Sequence, residues 1–169
     1  IYISEILLQR TRAEAVKDVY DEFFDRFPEP EYVIEADDED IYTTVKSLGF
    51  GNQRTRSLRE AAHLCSEHEG TPPADVDVLK EPWRVGPYSA RACLLFGHEI
   101  PVALVDSNIA RIVGRVFEYS MPSQPHKATA VYDLMESLTP QTGDLARGFY
   151  FSLLDLGAAI CRSETPECD

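Results

Sequence analysis

The apolar positions of this chain recur at helical rather than strand spacing. Val16, Val19, Tyr20, Phe23, Phe24 and Phe27 mark one face of a helix that Pro28 and Pro30 stop. An acidic patch from Glu35 to Asp40 leads into a second helix with Ile41, Val45 and Leu48 inward, ended by Gly49 and Gly51. Leu58, Ala61, Ala62 and Cys65 define a third, closed by Gly70 and the Pro72-Pro73 pair. Val76 and Leu79 suggest a short helix that runs into Pro82-Trp83-Arg84-Val85-Gly86-Pro87, and Ser89 to His98 is helical again. Residues 74–98 therefore read as helix, tight hairpin, helix. Val102 to Val105 is a brief extended piece, after which Asp106 or Ser107 caps a helix carrying Ile109, Ile112, Val113 and Val116. A Pro-rich connection, Met121 to Pro125, precedes a helix with Val131, Leu134, Met135 and Leu138. The last helix, Gly143 to Ile160, is expected to bury Leu145, Phe149, Leu153 and Leu156. No stretch alternates over strand length and no repeat is visible, so the expected fold class is all-α.

A chain of 169 residues, 44% hydrophobic, suffices for one domain or for two small helical lobes around a cleft. It has no run of 18 or more apolar residues and no basic segment leading an apolar one, which predicts neither a membrane span nor a secretion signal. The first residue, Ile1, already lies inside an apolar helical pattern, so a native start upstream is expected. The net charge of −13 argues at first against nucleic acid, which is usually met by a basic footprint. The charge is uneven, however. Arg84, Arg91, Arg111 and Arg115 face only Glu99 and Asp106 between Pro82 and Phe117, and Arg54, Arg56 and Arg59 face only Glu60 between Gly49 and Glu60. These arginines read either as ordinary surface positions or as a local footprint. Twelve Arg against four Lys in an acidic chain suits a salt-rich cytoplasm, where a Debye length of a few Å screens repulsion from DNA. Cys65 and Cys93 lie on apolar helical faces and read as small core residues, whereas Cys161 and Cys168 stand in a short polar tail.

Two positions invite chemistry, each beside a plainer reading. At Val85-Gly86 a glycine able to take positive φ turns backbone N–H groups outward at a helix start, which makes a phosphate site; the same sequence also suits a simple αα-corner. Asp106 follows the apolar run Ala103-Leu104-Val105 and enters a helix, where a carboxylate is partly desolvated beside the positive end of the helix dipole. On its own it is equally an ordinary N-cap.

Read together, Val85-Gly86-Pro87-Tyr88-Ser89-Ala90 and Val105-Asp106-Ser107-Asn108 resemble the helix-hairpin-helix plus Gly/Pro-Asp signature of the endonuclease III and MutY superfamily of DNA glycosylases. The resemblance extends along the chain. Ile3-Ser4-Glu5-Ile6-Leu7-Leu8-Gln9-Arg10-Thr11 is similar to the opening helix of MutY adenine glycosylases and thymine-mismatch glycosylases. Leu48-Gly49-Phe50-Gly51-Asn52-Gln53-Arg54 is similar to the loop that meets the strand opposite the lesion, and Leu154 to Cys161 to the entry into an iron–sulfur loop.

That resemblance implies a two-lobed helical base-excision enzyme, incomplete at both ends, acting on double-stranded DNA with a mismatched or damaged base. It would be intracellular, in the cytoplasm or nucleoid of a prokaryote, and monomeric. Asp106 becomes the catalytic carboxylate, stabilising an oxocarbenium-like sugar. Glu5 becomes a second acid that protonates the leaving base or orients water; on spacing alone it is a solvated helix residue. Tyr88 stands where bifunctional members carry a Schiff-base Lys, which implies a monofunctional enzyme, although Tyr88 equally lines the base pocket or packs the hairpin. Gln9 and Arg10 match the wedge that fills the gap left by a flipped base, and Asn52, Gln53 and Arg54 the contacts opposite it. Val85, Gly86 and Tyr88 complete the DNA-binding set, with a monovalent cation expected at the hairpin.

Cys161 and Cys168 match the first half of the family's Cys-x6-Cys-x2-Cys-x5-Cys ligand pattern for a [4Fe–4S] cluster; residues 161–169 read as a truncated iron–sulfur loop, or as one from a lineage without the cluster. The pattern also departs at Pro82-Trp83-Arg84-Val85-Gly86, where Leu-Pro-Gly-Val-Gly is usual; Arg84 in place of the first hairpin Gly is expected to strain the turn. Mismatched adenine, thymine or uracil are all compatible bases. An endonuclease III-like glycosylase with lyase activity and a helix-hairpin-helix DNA-binding module without chemistry are the other two readings.

Overall fold

The computed structural model describes residues 1–168, and among them there are ten α-helices and no strand. The chain divides into two compact units, Ile1–Cys93 and Leu94–Asp169.

In the first unit, α1 (Tyr2–Leu8) and α2 (Ala13–Arg26) are followed by a helix the periodicity does not reveal, α3 (Pro30–Glu35). Pro30, expected to end α2, instead opens α3 at its first turn, where a missing N–H costs nothing. Helix α4 (Asp38–Val45) runs into a 3₁₀ turn, Lys46–Leu48, and Gly49 stops it at φ 78°. Gly51, read as part of that stop, is the first residue of α5 (Gly51–Ser66), which begins well before its apolar stripe at Leu58. A Cβ at Gly51 would lie 2.5 Å from the Tyr42 ring, so the close α4–α5 approach requires glycine there. Helix α6 (Val76–Leu79) has Asp75 as N-cap, its carboxylate accepting from the N–H groups of Asp77 and Val78. The Tyr2 hydroxyl donates to the Leu79 carbonyl at 2.6 Å and ties α1 to α6. The core of this unit is Tyr2, Ile6, Leu7, Phe23, Ile41, Leu58 and Leu79, all essentially inaccessible.

The helix expected from Ser89 to His98 is α7 (Pro87–Ala92) prolonged by a π-helical turn, Cys93–Gly97, in which the boundary between the units falls. In the second unit Ala103, Leu104 and Val105 are buried but carry no ladder, and α8 (Ser107–Val116), α9 (Thr129–Leu138) and α10 (Gly143–Ala159) follow. Helix α10 is rotated from its expected face. Leu145 is largely exposed, Phe149, Leu153 and Leu156 are half-buried, and the buried line is Ala146, Tyr150 and Gly157. Small residues face inward because α10 packs tightly on α8: a Cβ at Gly157 would meet the Asn108 Cβ at 3.0 Å and Ile112 Cδ1 at 3.4 Å. Among the described residues no helix is long and apolar enough to cross a membrane.

Candidate nucleic-acid interface and reactive carboxylate

The hairpin before α7 puts its backbone strain where the sequence departs from glycine. Arg84 lies in the left-handed region at φ 60°, whereas Gly86 is extended at φ −95°, ψ 174° and serves as N-cap ahead of Pro87. The expectation of a positive φ at Gly86 is thus corrected, and the strain expected at Arg84 is present. A non-glycine residue pays roughly 1–2 kcal/mol there. Four side chains of α5 hold the turn in place. Ser57 Oγ donates to the Trp83 carbonyl at 2.6 Å, and Glu60 Oε2 accepts from the Trp83 N–H at 2.6 Å. Glu60 Oε1 accepts from Arg56 Nε at 2.7 Å, and the Arg56 guanidinium sits 4.0 Å from the Trp83 ring centroid. The hydrogen bond from Arg56, with that from the Trp83 N–H besides, holds the Glu60 carboxyl below its ordinary value. Gln53 completes the set by accepting, through Oε1, from the Arg84 guanidinium. None of the roles of Trp83, Arg56, Ser57 and Glu60 is visible in the sequence, although a Trp beside a charged residue in a turn is a fair signal for a pinned loop.

Around this turn the first unit gathers most of the expected DNA-contacting residues. Gln9 ends α1 and donates through Nε2 to the Arg84 carbonyl at 3.2 Å. Arg10 follows at φ 54°, and its guanidinium lies 5.8 Å from the ring centroid of Phe50, itself at φ 54°. Phe50 is 52% exposed, an apolar ring held outward by a left-handed backbone. It lies in the Leu48–Arg54 segment, of which the sequence pointed only to Asn52, Gln53 and Arg54 as contacts. Asn52 and Gln53 are exposed on the first turn of α5.

Arg54 departs from expectation. It is 4% exposed, and its guanidinium donates to the carbonyls of Ile6, Leu7, Gln9, Leu48 and Gly49 and to Thr11 Oγ1. Burial pushes this guanidinium below its ordinary value. Instead of reaching a DNA strand, Arg54 caps the C-terminal carbonyls of α1 and joins them to the Gly49 turn. Its register on α5 explains this: the positions 54, 55, 57 and 58 face inward, while 52, 53 and 56 face solvent.

Val85 is buried and Gly86 half-buried; Glu5 on α1 and Tyr88 on α7 are both half-buried. The second unit carries Asp106. It is half-buried, at φ −115°, and is the N-cap of α8: Oδ1 accepts from the Ile109 N–H at 2.7 Å and Oδ2 from Asn108 Nδ2 at 3.2 Å. The structure shows the N-cap of the plainer reading, on a half-buried carboxylate. Its capping bonds fix the carboxylate at the positive end of a ten-residue helix, at the exit of the buried Ala103–Val105 segment.

Arg111 and Arg115, counted in the net-positive stretch of the sequence, are turned to the C-terminal tail. Arg111 donates to the carbonyls of Cys161 at 2.8 Å and Gly157 at 3.0 Å. Arg115 donates to the carbonyls of Arg162 at 2.7 Å and Ser163 at 2.9 Å, and to Cys161 Sγ at 3.3 Å. Cys161 is buried and Cys168 exposed. Among the described residues no group of three or more His, Cys, Asp or Glu is placed to hold a metal. Two thiolates do not by themselves make a four-thiolate cluster site, so the residues present do not complete the expected iron–sulfur centre.

With this geometry established, comparison with known proteins gives concordant matches. A family model described as HhH-GPD superfamily base excision DNA repair protein matches residues 3–140. A thymine/uracil-DNA glycosylase of Methanothermobacter thermautotrophicus is 34% identical over 172 residues, a match covering 100% of this chain and 76% of that protein. An adenine DNA glycosylase of Mycobacterium tuberculosis is 29% identical, over 99% of this chain and 55% of its own length. Among solved structures, that of a thermostable thymine-DNA glycosylase superposes with a TM-score of 0.87 at 34% identity, over 99% of this chain and 76% of the other.

Proposed function

Because the chain belongs to the HhH-GPD superfamily of base excision DNA repair proteins, we propose that it is a monofunctional DNA glycosylase that removes a mispaired base from duplex DNA. Mispaired thymine or uracil is the preferred substrate, in line with a relative named for those bases at 34% identity. The observation that carries the chemistry is Asp106, a carboxylate fixed at the N-terminus of α8 by the Ile109 N–H and Asn108.

A base inside the stack cannot be reached, so the target nucleotide is flipped out and the gap filled. Gln9, Arg10 and the exposed ring of Phe50 supply that filling from adjacent loops, and Asn52 and Gln53 meet the opposite strand. The Gly86 backbone amide approaches a phosphate, whereas the Val85 N–H is taken by the Pro82 carbonyl at 3.0 Å. As the C1′–N bond breaks, positive charge develops on the sugar, and the Asp106 carboxylate stabilises it; water then forms the new C1′–O bond, and the proton it releases balances the one taken up by the departing base. Glu5 hands a proton to the departing base or orients that water. Tyr88 offers a phenol where an imine would need an amine, so the reaction stops at an abasic site and the strand stays intact. The lyase reading loses its nucleophile at this position. The reading as a module without chemistry loses its support too, since the strained Arg84 turn is held by Ser57, Glu60 and Gln53 instead of being disrupted.

The test is excision at high salt from duplexes carrying T·G, U·G and adenine opposite 8-oxoguanine, each sample divided for hot alkali and for borohydride. We expect alkali-dependent cleavage, no borohydride-trapped adduct, and a loss of roughly a hundredfold or more in Asp106→Asn. Asn is itself a good N-cap, so the variant keeps α8 and isolates the charge. Wild-type rates in Asp106→Asn, or a trapped covalent adduct, would refute the proposal.

A further inference from the structure

The contacts of Arg84 settle more than the shape of the hairpin. A glutamine amide has an acceptor end and a donor end, and its partners decide which end is turned outward. A guanidinium only donates, so the end of Gln53 that Arg84 holds is Oε1. A backbone carbonyl only accepts, so the end of Gln9 held by the Arg84 carbonyl is Nε2. One residue therefore polarises two glutamines in opposite senses, leaving the Gln53 NH₂ as a pair of donors and the Gln9 Oε1 as an acceptor. Gln53 is exposed and Gln9 half-buried. Arg84 does this from a left-handed backbone at φ 60°, where glycine would be relaxed. Its guanidinium meets a neutral amide and, among the described residues, no carboxylate.

We propose that Arg84 is a positioning residue that fixes the donor and acceptor sense of Gln9 and Gln53, and so sets which base is accepted on the strand opposite the excised one. The proposal rests on the glycosylase reading above. A donor from Gln53 and an acceptor from Gln9 together complement a guanine edge, which offers O6 as acceptor and its N1–H and NH₂ as donors. Without Arg84 the Gln53 amide turns freely and presents either end, and the discrimination falls.

The experiment measures binding, by fluorescence anisotropy, to duplexes with a tetrahydrofuran abasic-site analogue opposite G, A, C or T, for wild type, Arg84→Lys, Arg84→Gly and Gln53→Glu. Wild type should bind best opposite G. Arg84→Lys, also a pure donor, should keep that ranking. Arg84→Gly suits the turn and should melt no lower than wild type, yet lose about tenfold of the preference for G. Gln53→Glu still accepts from Arg84 but presents an acceptor where a donor stood, and should turn the preference away from G. An unchanged ranking in Arg84→Gly, or no ranking in wild type, overturns the proposal. Excision is followed separately on T·G duplexes: its absence with the ranking intact and Arg84-dependent would count against the glycosylase reading alone, and its presence with a ranking indifferent to Arg84 against this proposal alone.

Discussion

Replacing Arg54 tests whether the loops that carry the candidate DNA contacts are built from inside. Its guanidinium is buried and donates to five carbonyls and one hydroxyl, at 3.0 to 3.3 Å for Leu7, Gln9, Thr11, Leu48 and Gly49. Hydrogen bonds from a charged donor contribute about 1.5–3 kcal/mol each, less when they share one group. In Arg54→Met the volume is nearly kept, the donors vanish, and the carbonyls of Ile6 and Leu7 at the end of α1 lose their charged partner without gaining water, while Thr11 Oγ1 remains as a donor to the Leu48 carbonyl at 3.0 Å. A loss of about 4 kcal/mol is expected, a large part of the ~5–15 kcal/mol available to a domain. At ~2–4 °C per kcal/mol for a chain of this size, the melting temperature should fall by roughly 10 °C. Arg54→Lys, with one nitrogen in place of a fork, should lose about half as much. Thermal unfolding followed by circular dichroism reads this directly. A direct phosphate contact would behave in the opposite way, with an unchanged melting temperature and a DNA affinity that falls with a shallower salt dependence. An Arg54→Met protein melting within about 2 °C of wild type would refute the internal role.

Two further outcomes follow from the packing and from the buried thiols. Gly157→Ala places a methyl 3.0 Å from the Asn108 Cβ and 3.4 Å from Ile112 Cδ1, so α8 has to give by a few tenths of an ångström; a loss of about 1–3 kcal/mol in thermal unfolding is expected, and an unchanged melting temperature would contradict the tight α8–α10 contact. Burial pushes the Cys65 thiol up to about 11 and the Cys93 thiol up to about 12. Above pH ~8.5 the unfolded chain releases these protons while the folded one retains them, so stability present at neutral pH is lost progressively as pH rises toward 11–12. Cys65→Ala/Cys93→Ala should show a flatter alkaline limb in a melting-temperature profile, and at pH 8 the exposed Cys168 should alkylate well before either buried thiol.

The helices were legible because their apolar stripes are long. Val16, Val19 and Phe23 repeat over two turns, and Asp106 announces the start of α8 by type and position. Helix α3 was hidden because six residues between Pro30 and Glu35 are too short for a period and bury only Val33. The face of α10 was misread because large side chains suggested the inside, whereas close approach to α8 selects Gly157. At Asp106 the residue type announced a helix N-cap, which the structure has, whereas placement was illegible where register decides. Gln53 and Arg54 are adjacent in sequence, yet one faces solvent and the other supplies the internal scaffold. No local pattern announces that Trp83 would be stacked by Arg56, because the partner stands on another helix.

The distribution of arginines explains how so acidic a chain presents a surface to DNA. Arg26, Arg56, Arg59, Arg147 and Arg162 are ion-paired, and Arg54, Arg111 and Arg115 serve backbone carbonyls. Arg10 and Arg84 differ: one lies against the Phe50 ring and the other against the Gln53 amide, neutral partners that leave the positive charge uncancelled. Both occupy left-handed backbone, as does Phe50, while the other non-glycine residues with positive φ among those described are Glu69, Glu99 and Glu118. Glycine at 10, 50 and 84 would relax each turn and remove the side chain that the loop displays. Strain retained at three linked, outward-facing positions points to use at the surface, since the interior gains nothing from it. The same loops carry Gln9, Asn52 and Gln53, so the charge available to phosphates and the side chains available to bases coincide in one unit. On the proposed glycosylase reading, recognition depends on a few short-range contacts instead of a broad basic field, which suits a protein whose net charge of −13 repels DNA at long range and is screened within ~3 Å at molar salt.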